Sequence, residues 1–287
     1  MPEARQALQQ GAAPAPDRYA VVGNPVAHSL SPEIHARFAE QTSQHLVYER
    51  LLIPAGQFKA TVEGFFASGG KGLNVTVPCK GDAFTWVGEE GLDPLAKRAR
   101  AVNTIAKTAM GFTGHNTDGI GLVRDLQWHC VNISNARVLV LGAGGAVRGI
   151  IPALMDAGIK SLFIANRTAS TARQLAEDIT QEADLNCEGG SLPEVDGQFD
   201  LVINGTSAGL SEQALEMPAS LIRDAWCYDL MYGPKAAFHH WAKTQTQRGS
   251  CDGLGMLIEQ AAEAFFVWRG VRPDTAPVRA QLTQEAR

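Results

Sequence analysis

Val138-Leu-Val-Leu-Gly142-Ala-Gly144-Gly145-Ala-Val-Arg148 is the stretch whose reading decides the fold. An apolar run enters a glycine turn and continues into a helical pattern, as where a buried parallel strand feeds a helix. Such a turn brings backbone N–H groups and a helix N-terminus up to a diphosphate. Further on, Leu162-Phe-Ile-Ala-Asn166-Arg167-Thr168 reads as the end of the next strand. A cofactor with a free ribose 2′-hydroxyl usually meets Asp or Glu there. Here a cation stands between small polar groups, which suits a 2′-phosphate. The pattern therefore points to NADP(H) and to redox chemistry. Val147 occupies the third glycine position of G-x-G-x-x-G, so the fingerprint is incomplete. A turn needing glycine only for close helix packing is the plainer alternative.

Outward from this turn, strand-like runs alternate with amphipathic stretches, the pattern of an α/β protein. The first block predicts a strand over Tyr19–Gly23 and a helix from Pro32 to about Gln41, with Ser31 as its N-cap. A strand over Leu46–Ile53, a helix over Pro54–Ser68 and a strand from Gly72 to the stop at Pro78 follow. After Asp118 comes a helix over Gly119–Trp128, the Val138 strand, and a helix to about Ala157. Strand Ser161–Ala165, helix Ser170–Gln181 and strands Phe199–Ile203 and Trp226–Leu230 complete this block. The last helix, Leu254–Trp268, is expected to pack back on the first block. The predicted architecture is two α/β domains. A discontinuous substrate domain spans residues 18–117 plus 253–287, and a doubly wound, Rossmann-like domain spans 118–252. Residues 1–17, rich in Ala, Gln, Gly and Pro, are expected to be a disordered extension.

Composition narrows the classes. The 287 residues are 45% hydrophobic and 19% charged, ordinary for a chain with a substantial core. A net charge of −5 without a basic block argues against nucleic acid. No apolar run approaches membrane-spanning length, and the first residues lack the apolar centre of a secretory signal. Five cysteines without a C-x-x-C pair argue against a disulfide framework or a metal site and for a reducing cytoplasm. His239-His240 reads as an exposed helix pair.

Three segments of the first block carry candidate chemistry. Gly23-Asn-Pro-Val-Ala-His-Ser29-Leu-Ser31-Pro32 offers two hydroxyls at a strand-to-helix junction. Asn74-Val-Thr76-Val-Pro-Cys-Lys80 puts Asn74 and Thr76 on one strand face, with Lys80 just beyond. Gly114-His-Asn-Thr-Asp118-Gly offers an acid where the second block begins. Singly, each has a bland explanation: a helix cap, a solvated cation, another cap. Together they suit reduction of a ketone by hydride, which needs a proton donor for the developing alkoxide. In the second block, Asn204-Gly-Thr206-Ser207-Ala-Gly209 is a small polar loop ending a strand, a usual place for cofactor contacts.

From Tyr19 to Val278 these motifs, with Ala101-Val-Asn103-Thr104 and Gly253-Leu-Gly-Met-Leu-Ile-Glu-Gln260-Ala-Ala262, closely resemble the shikimate dehydrogenase family. The resemblance implies NADPH-dependent reduction of 3-dehydroshikimate to shikimate, in the pathway to chorismate and the aromatic amino acids. It implies Lys80 and Asp118 as catalytic pair, and Ser29, Ser31, Asn74, Thr76, Asn103, Tyr232 and Gln260 as substrate-binding positions. Gly142, Ala143, Gly144, Gly145, Ala146, Asn166, Arg167, Thr168, Thr206, Met231 and Gly253 match cofactor contacts. Cys79 stands where the family often has an aromatic or histidine, and Gly205 replaces a commoner alanine, a change expected to be tolerated. No metal is expected, and the chain is expected to act as a monomer or homodimer. A broader quinate/shikimate dehydrogenase and a non-catalytic NADP-binding regulatory protein are the alternatives.

Overall fold

β1 (Asp17–Gly23), β2 (Leu46–Leu52), β3 (Gly70–Val75), β4 (Thr104–Thr108) and β5 (Gly111–His115) form a sheet ordered β2-β1-β3-β4-β5 in the computed structural model. The structure describes residues 15–206 and 217–285. β1 pairs in parallel with β2 and β3, and β4 and β5 add an antiparallel hairpin. Between the strands lie α1 (Ser31–Gln41), α2 (Phe58–Ala67), α3 (Lys80–Val87) and α4 (Pro94–Ala99).

α5 (Asp118–Trp128) leads into the second sheet. Its strands are β6 (Arg137–Leu141), β7 (Ser161–Ala165), β8 (Asn186–Gly190), β9 (Leu201–Asn204), β10 (Trp226–Asp229) and β11 (Ser250–Cys251). They are all parallel, in the order β11-β10-β9-β6-β7-β8. The order reverses at β6, so a crevice opens at the carboxyl ends of β6 and β9, the ligand-binding switch point of a doubly wound sheet. α6 (Gly145–Asp156), α7 (Ala169–Glu182) and α8 (Ala237–Ala242) belong to the same block. Val138, Leu139, Val140, Val202 and Ile203 are fully buried, as parallel strands in a covered sheet must be.

α9 (Leu254–Arg269) and α10 (Thr275–Glu285) close the chain. α9 packs on both α5 and α1 and so returns to the first sheet, as expected of the Leu254–Trp268 helix; it is not the last helix, because α10 follows it and was not predicted. Ile34 and Phe38 of α1 share a core with Ile258, Ala261 and Phe265 of α9. The α5–α9 approach depends on Gly121, where a Cβ would lie 2.8 Å from the Gln260 Cβ. Arg279 of α10 pairs with Asp125 of α5 and with Glu259 of α9 at 3.3 Å, while Tyr228 donates to Asp125 at 2.5 Å.

Several local predictions need correction. Ser31 is not the N-cap of α1: Leu30 holds that place, and Ser31 is a buried first-turn residue accepting from Ser29 Oγ at 3.1 Å. α2 starts at Phe58 because Gly56 adopts a left-handed φ of 72° and the segment before it closes as a turn. β3 ends at Val75, so Thr76 is not on its face; it opens a turn closed by Cys79 N–H on the Thr76 carbonyl at 3.0 Å. β10 ends at Asp229, whose carboxylate accepts the Met231 N–H at 3.1 Å and draws the chain out of the sheet. His239 is half-buried with Nδ1 2.6 Å from Ser250 Oγ, so only His240 is exposed. Asp17 pairs with Leu46 inside β1, and residues 1–14 of the expected extension lie outside the described residues.

Candidate active site

Lys80 is the first residue of α3 and Asp118 the first of α5, which directs both side chains from helix starts into one place. Lys80 Nζ donates to Asp118 Oδ2 at 2.5 Å, with the side chains only 12% and 9% exposed. The free N–H groups of the first turn of α5 favour a carboxylate at this position. Asn103, in the bend before β4, donates from Nδ2 to Asp118 Oδ1 at 2.8 Å. Asn116 Oδ1 accepts the Asp118 N–H at 3.2 Å. A partially shielded ammonium, its carboxylate partner and an amide donor can hold a proton on nitrogen and deliver it to a neighbouring oxygen.

Of the other expected substrate positions, Gln260 and Asn74 are linked to this pair by hydrogen bonds through Asn103. Gln260 Oε1 accepts from Thr117 Oγ1 at 3.3 Å and from Asn103 Nδ2 at 3.4 Å, so it faces the pair and is buried rather than solvated. Asn74 connects to Asn103 through Thr104, accepting from Tyr48 at 2.6 Å and donating to Thr104 at 3.0 Å. Ser29 and Ser31 lie against each other, and Arg50 donates to the Ser29 carbonyl at 2.6 Å. Thr76 is half-buried, with its amide on the Val22 carbonyl at 2.9 Å. Tyr232 crosses from the second sheet to the Leu30 backbone; burial pushes its phenol up, opposed by Leu30 and by Arg50.

The expected cofactor positions share the carboxyl ends of β6, β7, β9 and β10. Gly142 takes a φ of 103°, and its N–H donates to the Ala165 carbonyl at 2.7 Å. Gly144 and Gly145 expose backbone at the start of α6, with open space where a Cβ would project, while Ala143 is buried and Ala146 half-buried. Exposed backbone at the head of a 12-residue helix fits a diphosphate. Asn166 donates to the Thr168 carbonyl at 3.0 Å, leaving Arg167 exposed at the mouth, which fits a 2′-phosphate. Thr206 Oγ1 donates to Asn204 Oδ1 at 2.7 Å, and Asn204 Nδ2 to Asp229 Oδ1 at 3.0 Å. Burial pushes the Asp229 carboxyl up, partly offset by the Met231, His239 and Asn204 donors. The Gly253 N–H donates to the Met231 carbonyl at 2.9 Å. Ser207 and Gly209 of the same loop lie outside the described residues.

Sequence reading gave no role to Tyr48, Thr104, Thr117 or Asp229 in this framework, and singled out Asn204 only as part of its polar loop. Thr104 and Thr117 adjoin the singled-out Asn103 and Asp118, so adjacency was the one available signal. Tyr48 carried none. Cys79 is buried in the first core, where burial raises its thiol pKa and Asp82 adds to the shift. Among the described residues, Asp125, His129 and Cys251 form a trio with metal-ligand chemistry, but Asp125 is already bound by Arg279 and Tyr228. Among the same residues, no helix is long and apolar enough to cross a membrane.

A doubly wound sheet with its glycine turn at the switch point, beside a second α/β unit carrying a shielded Lys–carboxylate pair, defines a two-domain NADP-binding oxidoreductase. Residues 21–105 match the family described as shikimate dehydrogenase substrate binding domain. Residues 126–217 match shikimate / quinate 5-dehydrogenase, and 253–283 the shikimate 5'-dehydrogenase C-terminal domain. Shikimate dehydrogenase (NADP(+)) of Alkalilimnicola ehrlichii is 50% identical over 94% of this chain and 99% of its own length. Its counterpart in Chromohalobacter salexigens is 52% identical, over 94% and 98%. The solved shikimate 5-dehydrogenase from Thermus thermophilus, in complex with NADP(H) and shikimate, is 30% identical with a TM-score of 0.80, covering 94% of this chain and 100% of that one. The chain belongs to the shikimate dehydrogenase family.

Proposed function

We propose that the protein reduces 3-dehydroshikimate to shikimate with NADPH, reversibly, using Lys80 and Asp118 as its acid/base pair. The observation that carries the reading is the 2.5 Å contact between two side chains 38 residues apart, nearly closed to solvent. α6 abuts this pair: a Cβ at Gly149 would lie 3.1 Å from Asp118 Oδ2, and the same helix starts at the diphosphate turn. In this reading residues 18–117 with 253–287 hold substrate and residues 118–252 hold cofactor.

NADPH, when bound, supplies the hydride that the carbonyl carbon accepts. Lys80 gives a proton from Nζ to the carbonyl oxygen as it becomes an alkoxide, so C=O gains one hydride and one proton and becomes CH–OH. Asp118 keeps the ammonium aimed, and Asn103 keeps Asp118 from turning away. In the oxidative direction the neutral amine takes the hydroxyl proton. Ser29 and Ser31 suit recognition of the substrate carboxylate, with Asn74, Thr76, Gln260 and Tyr232 around the ring. The glycine turn, Asn166, Arg167, Thr168, Thr206, Met231 and Gly253 hold the dinucleotide. All five cysteines are free, in keeping with a cytoplasmic site of action, and the chain acts as a monomer or homodimer.

The test is Lys80→Ala, followed by NADPH consumption with 3-dehydroshikimate. kcat should fall by about 10²–10⁴-fold, with shikimate affinity changed far less. Near-normal turnover would remove Lys80 from the mechanism. Quinate, and NAD in place of NADP, tried on the parent protein, separate the narrow reading from a broader quinate/shikimate one.

A further inference from the structure

Four hydrogen bonds link the serine side of the pocket to the acid/base pair, and all run in one sense. Tyr48 donates to Asn74 Oδ1 at 2.6 Å, and Asn74 Nδ2 to Thr104 Oγ1 at 3.0 Å. Thr104 Oγ1 donates to Asn103 Oδ1 at 3.0 Å, and Asn103 Nδ2 to Asp118 Oδ1 at 2.8 Å. Asn74, Thr104, Asn103 and Asp118 are buried. At the head of the chain burial pushes the Tyr48 phenol well up, with the nearby Ser31 hydroxyl opposing the rise. The Tyr48 ring stacks on His35 at 4.3 Å and 7°.

We infer that Tyr48 and Thr104 are positioning residues whose hydroxyls set the amide orientations of Asn74 and Asn103, and so hold the Asn103 donor on Asp118. The inference rests on the reading of Asp118 as half of the acid/base pair. An amide has a donor end and an acceptor end, and its neighbours decide which way each points. Tyr48 presents its O–H to Asn74, so the Asn74 oxygen faces Tyr48 and its NH₂ faces Thr104. Thr104, accepting there, spends its one proton on Asn103 Oδ1. That oxygen also takes the Thr117 N–H at 2.8 Å. The Asn103 NH₂ is thereby turned to the oxygens of Asp118 and Gln260. Asn74 Nδ2 also donates to the Asn103 carbonyl at 3.3 Å, so without the Tyr48 hydroxyl only that longer bond opposes a turn of the Asn74 amide. Thr104 would then donate back to Asn74, and Asn103 would be held by Thr117 alone. Bonds aligned in one sense also polarise each other, which strengthens the last link to Asp118.

The experiment compares Tyr48→Phe, Thr104→Val, the double variant and Thr104→Ser. Each of the first two should lower kcat by about tenfold, with KM for NADPH within about twofold of the parent. The double variant should lose no more than about tenfold, because both changes break the same chain. Thr104→Ser should restore kcat to within about twofold, since it returns the hydroxyl. The Asn103 side-chain amide resonances should move in Tyr48→Phe, although Asn103 does not touch the altered ring. Losses that multiply, a Thr104→Ser variant as slow as Thr104→Val, or unchanged turnover in Tyr48→Phe would overturn the inference. Should the parent fail to reduce 3-dehydroshikimate, the functional reading falls by itself. The amide signals then decide the chain: movement supports it, and unchanged resonances overturn it.

Discussion

Gly205→Ala introduces the residue the family commonly has, and here it should be harmful. A Cβ at position 205 would lie 2.4 Å from Val147 Cγ2, and Val147 is fully buried. Carbon atoms pack best at about 3.5–4.0 Å, so the first turn of α6 and the exit of β9 must separate by about 1 Å. Retreat is blocked, because the Leu141 carbonyl oxygen and Leu230 Cδ1 each stand 3.3 Å from the same point. Overpacking of this kind costs about 1–3 kcal/mol. The strain also reaches the glycine turn proposed to hold the cofactor, since a Cβ at Gly142 would be only 3.1 Å from the Gly205 carbonyl oxygen. KM for NADPH should therefore rise along with the loss of stability. Val147→Ala removes buried methyls and should cost roughly 1–2 kcal/mol by itself, yet it opens the space that the added methyl needs. Urea unfolding of both single variants and the double variant should give a coupling of about 1–2 kcal/mol favouring the pair, with m unchanged. Strictly additive losses, or a Gly205→Ala protein as stable as its parent, would refute the argument. Glycine is tolerated at 205 because valine at 147 fills the gap.

Burial pushes the His35 imidazole down to about 3, with the nearby Asn74 opposing this only in part. Its folded pKa lies below the unfolded value, so its contribution to stability is complete above about pH 6.5 and is lost as pH falls toward 3. At about pH 4.5 the loss is of order 2–3 kcal/mol, and His35→Gln should flatten the acid limb of denaturation by that amount. A parent-to-variant difference that stays constant between neutral and acid pH would contradict it. For Glu263, burial raises the carboxyl but the Arg124 and Arg272 hydrogen bonds outweigh it, so the folded pKa is lowered. That stability is present above the unfolded pKa and lost as pH falls through the folded one. Glu263→Gln should cost about 1–2 kcal/mol at neutral pH, with the gap closing below about pH 4; a gap that persists in acid counts against the ion pairs. Arg167→Ala should raise KM for NADPH by about tenfold or more while NADH changes little. Equal losses with both cofactors would contradict a 2′-phosphate role.

Much of the architecture was open to reading because burial is periodic along the chain. β6 and β9 show continuous apolar runs since both faces of a parallel sheet are covered. α1 and α9 show their buried stripes at helical spacing. β4, β5 and β8 were missed for the same physical reason in reverse. Thr104-Ile-Ala-Lys-Thr108 and Asn186-Cys-Glu-Gly-Gly190 carry few branched apolar residues, and they become strands by pairing with β3 and β7. Lys80, Asp118 and Asn103 could be singled out as types in motifs.

The sequence alone determined two α/β blocks, a glycine turn with a cation downstream, and a helix near the end that returns to the first block. These are written in local periodicity and in glycine's backbone freedom, which act over a few residues. Only the tertiary structure decided which polar groups meet: Gln260 reaches Asn103 across 157 positions, and Arg279 reaches Asp125 across 154. It alone brought Tyr48 and Thr104 between the serines and Asp118, and set Val147 against Gly205. A hydrogen bond or a methyl contact depends on atomic distances that the whole packed fold sets, and no repeat along the chain encodes them.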